Sequence, residues 1–232
     1  MRLFAIGDLH LPGGDEKPMN VFGPQWDRHF FRISEAWQET VGENDAVLIP
    51  GDISWAMKME DALPDLQEIG KLPGKKVLTR GNHDYWWNSI SRIRANLPEG
   101  MIALQQDAAD LGEFVVCGTR GWTIPTKDAP LPENEVKIYQ RELGRLEMAL
   151  DAAERIARGR AVIVMLHYPP LYDNERESGF TEILENRNVK TVVYGHLHGA
   201  GIRTAFEGEK NGVRYYLTSC DRLDFKPAEI PV

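Results

Sequence analysis

Apolar residues fall along this chain in short bounded blocks separated by longer stretches of helical spacing. Residues 3–6, 45–50, 76–79, 114–117, 161–166 and 191–194 are compact apolar runs that read as buried strands, with 103–104 as a shorter one. Between them, Trp26, Phe30, Ile33, Trp37 and Val41 recur at the i, i+3, i+4 spacing of an amphipathic helix. Residues 60–71 predict a second helix, in which Pro64 is tolerable only in the first turn. Residues 86–97 predict a third and 179–187 a short fourth. The longest helical pattern spans 134–158. Val136, Tyr139, Leu143, Leu146, Leu150, Ala153 and Ala157 share one face, charges lie opposite, Asn134 is the expected N-cap, and Gly159 is the stop. Residues 11–25 and 123–133 are Gly- and Pro-rich loops. Residues 203–206 and 214–218 read as a terminal antiparallel pair turning at Glu209-Lys210-Asn211-Gly212, where Asn-Gly is a hairpin signal. The alternation of strand and helix predicts an α/β fold with a parallel-type sheet and helices on its faces. No repeat or linker divides residues 1–232, so a single domain is expected.

Composition narrows the partners. The 232 residues carry a net charge of -8, with no run of Lys or Arg, so a nucleic-acid duplex or membrane surface is not the expected ligand. Cys117 and Cys220 are far apart in sequence and read as two reduced thiols. The first apolar run breaks at Gly7-Asp8, too early for a signal peptide, and no stretch approaches a membrane span. The expectation is a soluble cytoplasmic protein; oligomeric state is not legible.

The polar clusters at the strand ends change the picture more. The apolar runs end at Gly7-Asp8-Leu9-His10, Gly51-Asp52, Gly81-Asn82-His83-Asp84, His167-Tyr168 and Gly195-His196-Leu197-His198. Five of the six histidines sit at these ends, joined by Asp8, Asp52 and Asn82; His29 is the exception, and reads as a surface or half-buried helix residue. Ligands bind at the carboxyl ends of strands in open α/β sheets. Hard oxygens and imidazoles without thiolate suit Mn, Fe, Zn, Co or Ni. There are more donors than one ion with an open position requires, whereas two ions roughly 3.5–4 Å apart, bridged by a carboxylate, use them all. Two divalent ions offset by two aspartates and a bridging hydroxide leave one positive charge to attract a phosphate ester.

These five ordered blocks, spread over residues 8–198, resemble the calcineurin-like metallophosphoesterase superfamily. The resemblance implies a four-layer αββα sandwich of two mixed sheets flanked by helices. It implies that Asp8, His10 and His198 bind one metal ion, that Asn82, His167 and His196 bind the second, and that Asp52 bridges them. It implies a phosphoesterase using two divalent transition-metal ions, Mn favoured, on a small phosphorylated mono- or diester. On this resemblance a metal-bridging hydroxide would attack phosphorus, and His83 would serve as general acid, oriented and kept charged by Asp84. Asn82 and His83 would also touch the substrate. Two departures stand out: Trp55 occupies the place of a tyrosine that ligates ferric iron in purple acid phosphatases, and the second aspartate common after Gly51-Asp52 is missing. Arg120 is the best candidate for a substrate phosphate contact, with a plain surface salt bridge as the alternative; Arg80 reads as bracing a strand end; and Trp55, Trp86, Trp87, Trp122 and Tyr168 read as packing under the site loops, with stacking on a base or a sugar as the alternative. The alternatives are a metal-binding scaffold without turnover, for which the presence of His83 is unfavourable, and a nuclease, which predicts a basic groove.

Overall fold

The apolar blocks become the inner strands of two sheets. The computed structural model describes residues 1–14, 18–127, 129–187 and 189–232, so parts of the loops expected over 11–25 and 123–133 lie outside the described residues. In chain order the elements are β1 (Leu3–Ala5), α1 (His29–Thr40), β2 (Ala46–Pro50), α2 (Met59–Gly70), β3 (Lys75–Thr79), α3 (Ile90–Asn96), β4 (Met101–Ala103), β5 (Asp107–Asp110), β6 (Phe114–Thr119), α4 (Glu133–Ala157), β7 (Ala161–Leu166), α5 (Gly179–Asn186), β8 (Thr191–Tyr194), β9 (Gly208–Lys210), β10 (Val213–Leu217) and β11 (Ala228–Glu229). One sheet runs β11-β1-β2-β3-β4 and the other β5-β6-β7-β8-β10-β9. Both are mixed: β1 to β4 are parallel with β11 antiparallel, and β6, β7, β8 and β10 are parallel between antiparallel β5 and β9.

The layering follows from side chains alternating across each strand. Phe4, Val47, Ile49 and Leu78 face out from the first sheet and pack on Ile33 and Trp37 of α1 and Leu66 and Ile69 of α2. Leu3, Ala5, Leu48 and Val77, from the opposite face, meet Val116, Ile163, Met165 and Val193 of the second sheet. That sheet's other face, through Val115, Val164, Leu166 and Tyr194, packs on Leu146, Leu150 and Ala153 of α4 and Phe180 and Leu184 of α5. Strands buried on both faces read as unbroken apolar runs, which is the pattern seen in the sequence. The result is the expected αββα sandwich.

Several boundaries move. Trp26 ends a short 3-10 turn before α1, and Trp86 and Trp87 precede α3, where both are fully buried. Aromatic spacing imitated a helical start in both places. Pro64 stands in the sixth position of α2, on its exposed side, where the Glu60 carbonyl loses an amide partner but retains access to water. The cap of α4 is Pro132, with no side-chain bond, and not Asn134; Val136 is exposed. The expected strand over 203–206 is displaced: Gly199–Thr204 form a 3-10 helix, and β9 pairs with β10 across the predicted Asn211-Gly212 turn, both residues having positive φ. The short strands β5 and β11 carry no apolar run and were not legible.

Candidate metal centre

Every polar cluster singled out in the sequence lies at the carboxyl end of a parallel strand, and the ends of both sheets meet. After β1 and β2 the two chains run side by side: Asp8 N donates to Gly51 O (3.0 Å) and His10 N to Asp52 O (3.0 Å). Gly7 N donates to Thr218 O beyond β10, at 2.7 Å. This stitching forces unusual backbone. Asp8 (φ 58°), His10 (φ 46°), Asp52 (φ 51°) and His196 (φ 75°) all adopt the left-handed region, which costs non-glycine residues and clusters at functional sites. Two glycines let the carboxylates in. A Cβ on Gly81 would overlap Asp52 Oδ1 and its amide nitrogen, and one on Gly195 would overlap Asp8 Oδ2.

Asp52 sits in the middle. Its Oδ2 lies 3.5 Å from His167 Nε2, 3.8 Å from His10 Nε2 and 4.0 Å from His83 Nε2, while its Oδ1 accepts from the His83 amide at 2.8 Å. On one side, Asp8 Oδ1 is 3.4 Å from His198 Nε2, and Asp8, His10 and His198 place donor atoms within 4.8 Å of one another. On the other, Asn82 Oδ1 lies 2.6 Å from His167 Nε2 and 2.8 Å from His196 Nδ1. Asp8, Asp52 and His167 form a second group within 4.8 Å, tying the two sides together.

Protonation is dictated by burial. Burial pushes His10 and His196 down to about 3, so both rings are neutral. His198 is the reverse: burial opposes its charge, but Asp8 and Asp221 outweigh it and hold the ring up to about 10. Burial also works against Asp8, which the His198, His167 and His10 rings nevertheless keep below the usual carboxylate range. Asp52 is raised well above that range by burial and by the neighbouring Asp84 and Asp8.

A family model described as calcineurin-like phosphoesterase matches residues 1–200. The chain belongs to that family. Its sequence is similar to the Gene 66 proteins of two Mycobacterium phages: 27% identical over 206 residues for phage D29, covering 87% of this chain and 81% of that protein, and 24% over 194 residues for phage L5, covering 82% and 74%. Its fold is similar to the crystal structure of a phosphopantetheinyl hydrolase from Mycobacterium tuberculosis, with TM-score 0.57, 15% identity, and 99% and 95% of the two chains covered. It is also similar to a protein of unknown function from Aquifex aeolicus, with TM-score 0.54, 16% identity, and 98% and 95% covered. No helix among the described residues is long and apolar enough to cross a membrane.

Members of this phosphoesterase family generally hold two divalent metal ions, and the donors here suit them. His167 Nδ1 can only donate to the Pro50 carbonyl, at 3.0 Å, so its Nε2 carries a lone pair that faces another acceptor, Asn82 Oδ1. His198, charged without an ion, is held between Asp221 Oδ1, 2.8 Å from Nδ1, and Asp8 Oδ1, 3.4 Å from Nε2, so its extra proton stands where a cation would otherwise meet Nε2 and Asp8. The lone pairs of His167 Nε2 and Asn82 Oδ1 converging on one another are what a cation resolves.

Asp221 was missed. It comes after β10, a strand parallel to β8, and so obeys the same rule as the other site residues; reading that stretch as half of a hairpin hid it. His29 is buried, with Nε2 2.8 Å from Leu9 O, which steadies the loop between Asp8 and His10. One expected role changes. Asp84 does not touch the His83 ring: its carboxylate accepts from the amides of Ile53 (2.8 Å), Ser54 (3.2 Å) and Gly81 (2.7 Å) and from Trp86 Nε1 (3.1 Å), which fastens the Asp52 loop to the Asn82 loop. Nor does it keep that ring charged, since burial lowers the His83 pKa. The Arg120 guanidinium lies 3.7 Å from Glu142 and over the Trp122 ring at 4.5 Å. Trp55 does more than pack: its ring stacks on His10 at 4.8 Å and leans on His83 at 4.4 Å. Beside them opens a cavity of about 310 Å3 lined by His10, Met19, Phe22, Trp26, Trp55 and His83.

Proposed function

We propose that this phosphoesterase is dinuclear and metal-dependent, hydrolysing phosphate mono- or diesters of small molecules with His83 as general acid. Asp8, His10 and His198 would hold one ion, Asn82, His167 and His196 the other, and Asp52 would serve both, with Mn favoured. The observation that carries this reading is the central place of Asp52 Oδ2, within 4.0 Å of ring nitrogens from His10, His83 and His167. When bound, the ions supply the positive charge that ionises a water and neutralises phosphoryl oxygens.

The chain's own residues do the rest. Asp52 holds the His83 amide, which sets that ring at the border between the donor cluster and the cavity. The His83 side chain is 36% exposed, so its Nε2 can reach a leaving oxygen beside the donor cluster, and the negative charge of a bound phosphate would favour the protonated ring that donates to it. Trp55, packed on both His10 and His83, limits the ring's tilt and keeps water off one face. Tyr168, 4.3 Å from the His196 ring, does the same on the other side. The test is to strip the protein with chelator and refill it with Mn, Co, Ni or Zn before assaying monoesters, cyclic and linear diesters and nucleotide pyrophosphates. Turnover that returns only with metal supports the reading; full turnover in the stripped protein contradicts it.

A further inference from the structure

A second pocket, of about 190 Å3, is lined by Arg80, Arg120, Arg145, Gln105, Asn88 and Thr119. Its charge is unbalanced. Glu142 is the carboxylate that answers these arginines: it is fully buried, bonds Arg145 at 2.6 Å and the Thr119 hydroxyl at 2.8 Å, and stands 3.7 Å from Arg120. Three guanidiniums against one carboxylate leave two positive charges in a small cleft of a chain whose net charge is -8. Among the described residues no carboxylate lies within 4.0 Å of the Arg80 guanidinium, and its Nε is buried without a hydrogen-bond partner. Guanidinium groups placed together repel one another; burial, and then the charges of Arg80 and Arg145 against the help of Glu142, lower the pKa of Arg120. Gln105 accepts from Trp87 Nε1 through Oε1 (2.9 Å), so its amide NH2 remains a donor. The three guanidiniums and the Gln105 NH2 are donors, while the Thr119 hydroxyl has given its proton to Glu142; clustered cationic donors suit a multiply charged oxyanion.

The pocket adjoins the metal centre through two short connections. Arg80 is two residues before Asn82, and the Arg120 carbonyl accepts from the His167 amide at 3.0 Å. Resting on the phosphoesterase reading, we propose that Arg80, Arg120 and Arg145 bind a second anionic group of the substrate, of the phosphate class, so that the preferred substrates are small molecules bearing two phosphate groups. One phosphate lies at the metal centre and the other in the arginine pocket.

Two measurements test this. Metal-stripped protein, in which no cation competes for anions, is titrated with inorganic phosphate by calorimetry. Saturable binding is expected, weakened by roughly ten- to a hundredfold in Arg80→Gln and in Arg145→Gln, the loss expected on removal of one charge-assisted hydrogen bond. Arg80→Gln is the cleaner variant, because Arg145→Gln also unpairs buried Glu142. Metal-loaded protein is then assayed on a sugar bisphosphate and on the matching monophosphate. The expected result is a lower KM for the bisphosphate, with most of that preference lost in Arg80→Gln. Absence of saturable phosphate binding, or an undiminished preference in Arg80→Gln, would overturn the proposal. Phosphate binding without turnover on either sugar would instead sink the phosphoesterase reading and uphold the pocket as an anion site.

Discussion

Asp52 illustrates what single residues contribute. A carboxylate buried beside Asp8 and Asp84, in a left-handed backbone conformation, is unfavourable for a folded chain by itself; strain of this kind costs on the order of 1–3 kcal/mol per residue. Gly81 and Gly195 are the counterpart, since space at those two positions is what admits the carboxylates. Gly195→Ala is therefore predicted to lower metal retention during dialysis against chelator, as measured by elemental analysis. His83→Ala should cut turnover of an alkyl phosphate by about 10²–10⁴-fold and spare an aryl phosphate, whose phenolate departs without a proton. Equal losses on the two esters would remove His83 from that role. The cysteines make a separate test. Burial pushes the Cys117 thiol up to about 12 and Cys220 also well above the ordinary range, with Cys220 Sγ donating to the Asp8 carbonyl at 3.0 Å. A raised thiol pKa keeps both groups protonated at mildly alkaline pH, so native protein should resist alkylation by iodoacetamide and unfolded protein should take up two labels per chain. Labelling of the native protein at the unfolded rate would contradict the burial. At this scale the donor residues could be read because each stands at or just past the end of an apolar run, most of them beside a glycine. Asp221 and Glu142 could not: nothing local marks an aspartate after an apparent hairpin, or a buried glutamate on a helix otherwise lined with solvated charges.

At the scale of elements, period-two alternation explains three separate cores from two sheets. Ile163 of β7 is fully buried between the sheets and faces the inter-sheet core, in the strand that ends just before His167. Ile163→Ala is predicted to destabilise the fold by about 2–5 kcal/mol, read as a lower denaturant midpoint, with metal content of the folded fraction unchanged. At the start of α5, Ser178 and Thr181 cap each other's amides, at 3.1 and 2.9 Å. Ser178→Ala should cost about 1 kcal/mol, measured the same way. Central strands and helices were legible because both faces of each strand are buried. The edge strands β5, β9 and β11 were not, because pairing at an edge is set by backbone bonds to a neighbour and needs no apolar pattern. Helix starts failed at Trp26 and Trp86 for a related reason: aromatic residues that fill the space beneath a loop keep helical spacing by accident of packing.

For the whole molecule, the arrangement brings carboxyl ends from two sheets to one edge, where groups as far apart in sequence as Asp8 and His196 meet: the His196 amide donates to Asp8 Oδ2 at 3.0 Å. An acidic chain can still attract phosphate there, because positive charge is concentrated locally, in the proposed ions and in the arginine cleft, instead of being spread over a basic face. The order of strands could not be read from composition or spacing. The convergence of the clusters could, since any parallel arrangement places strand ends of one sense on one side. The most direct test of the account is the metal content of purified, Mn-loaded protein beside its Asp52→Asn variant, by elemental analysis after gel filtration. The account predicts two ions per chain in the unaltered protein and loss of both from Asp52→Asn. Saturation at a single ion, or two ions retained by the variant, would contradict it.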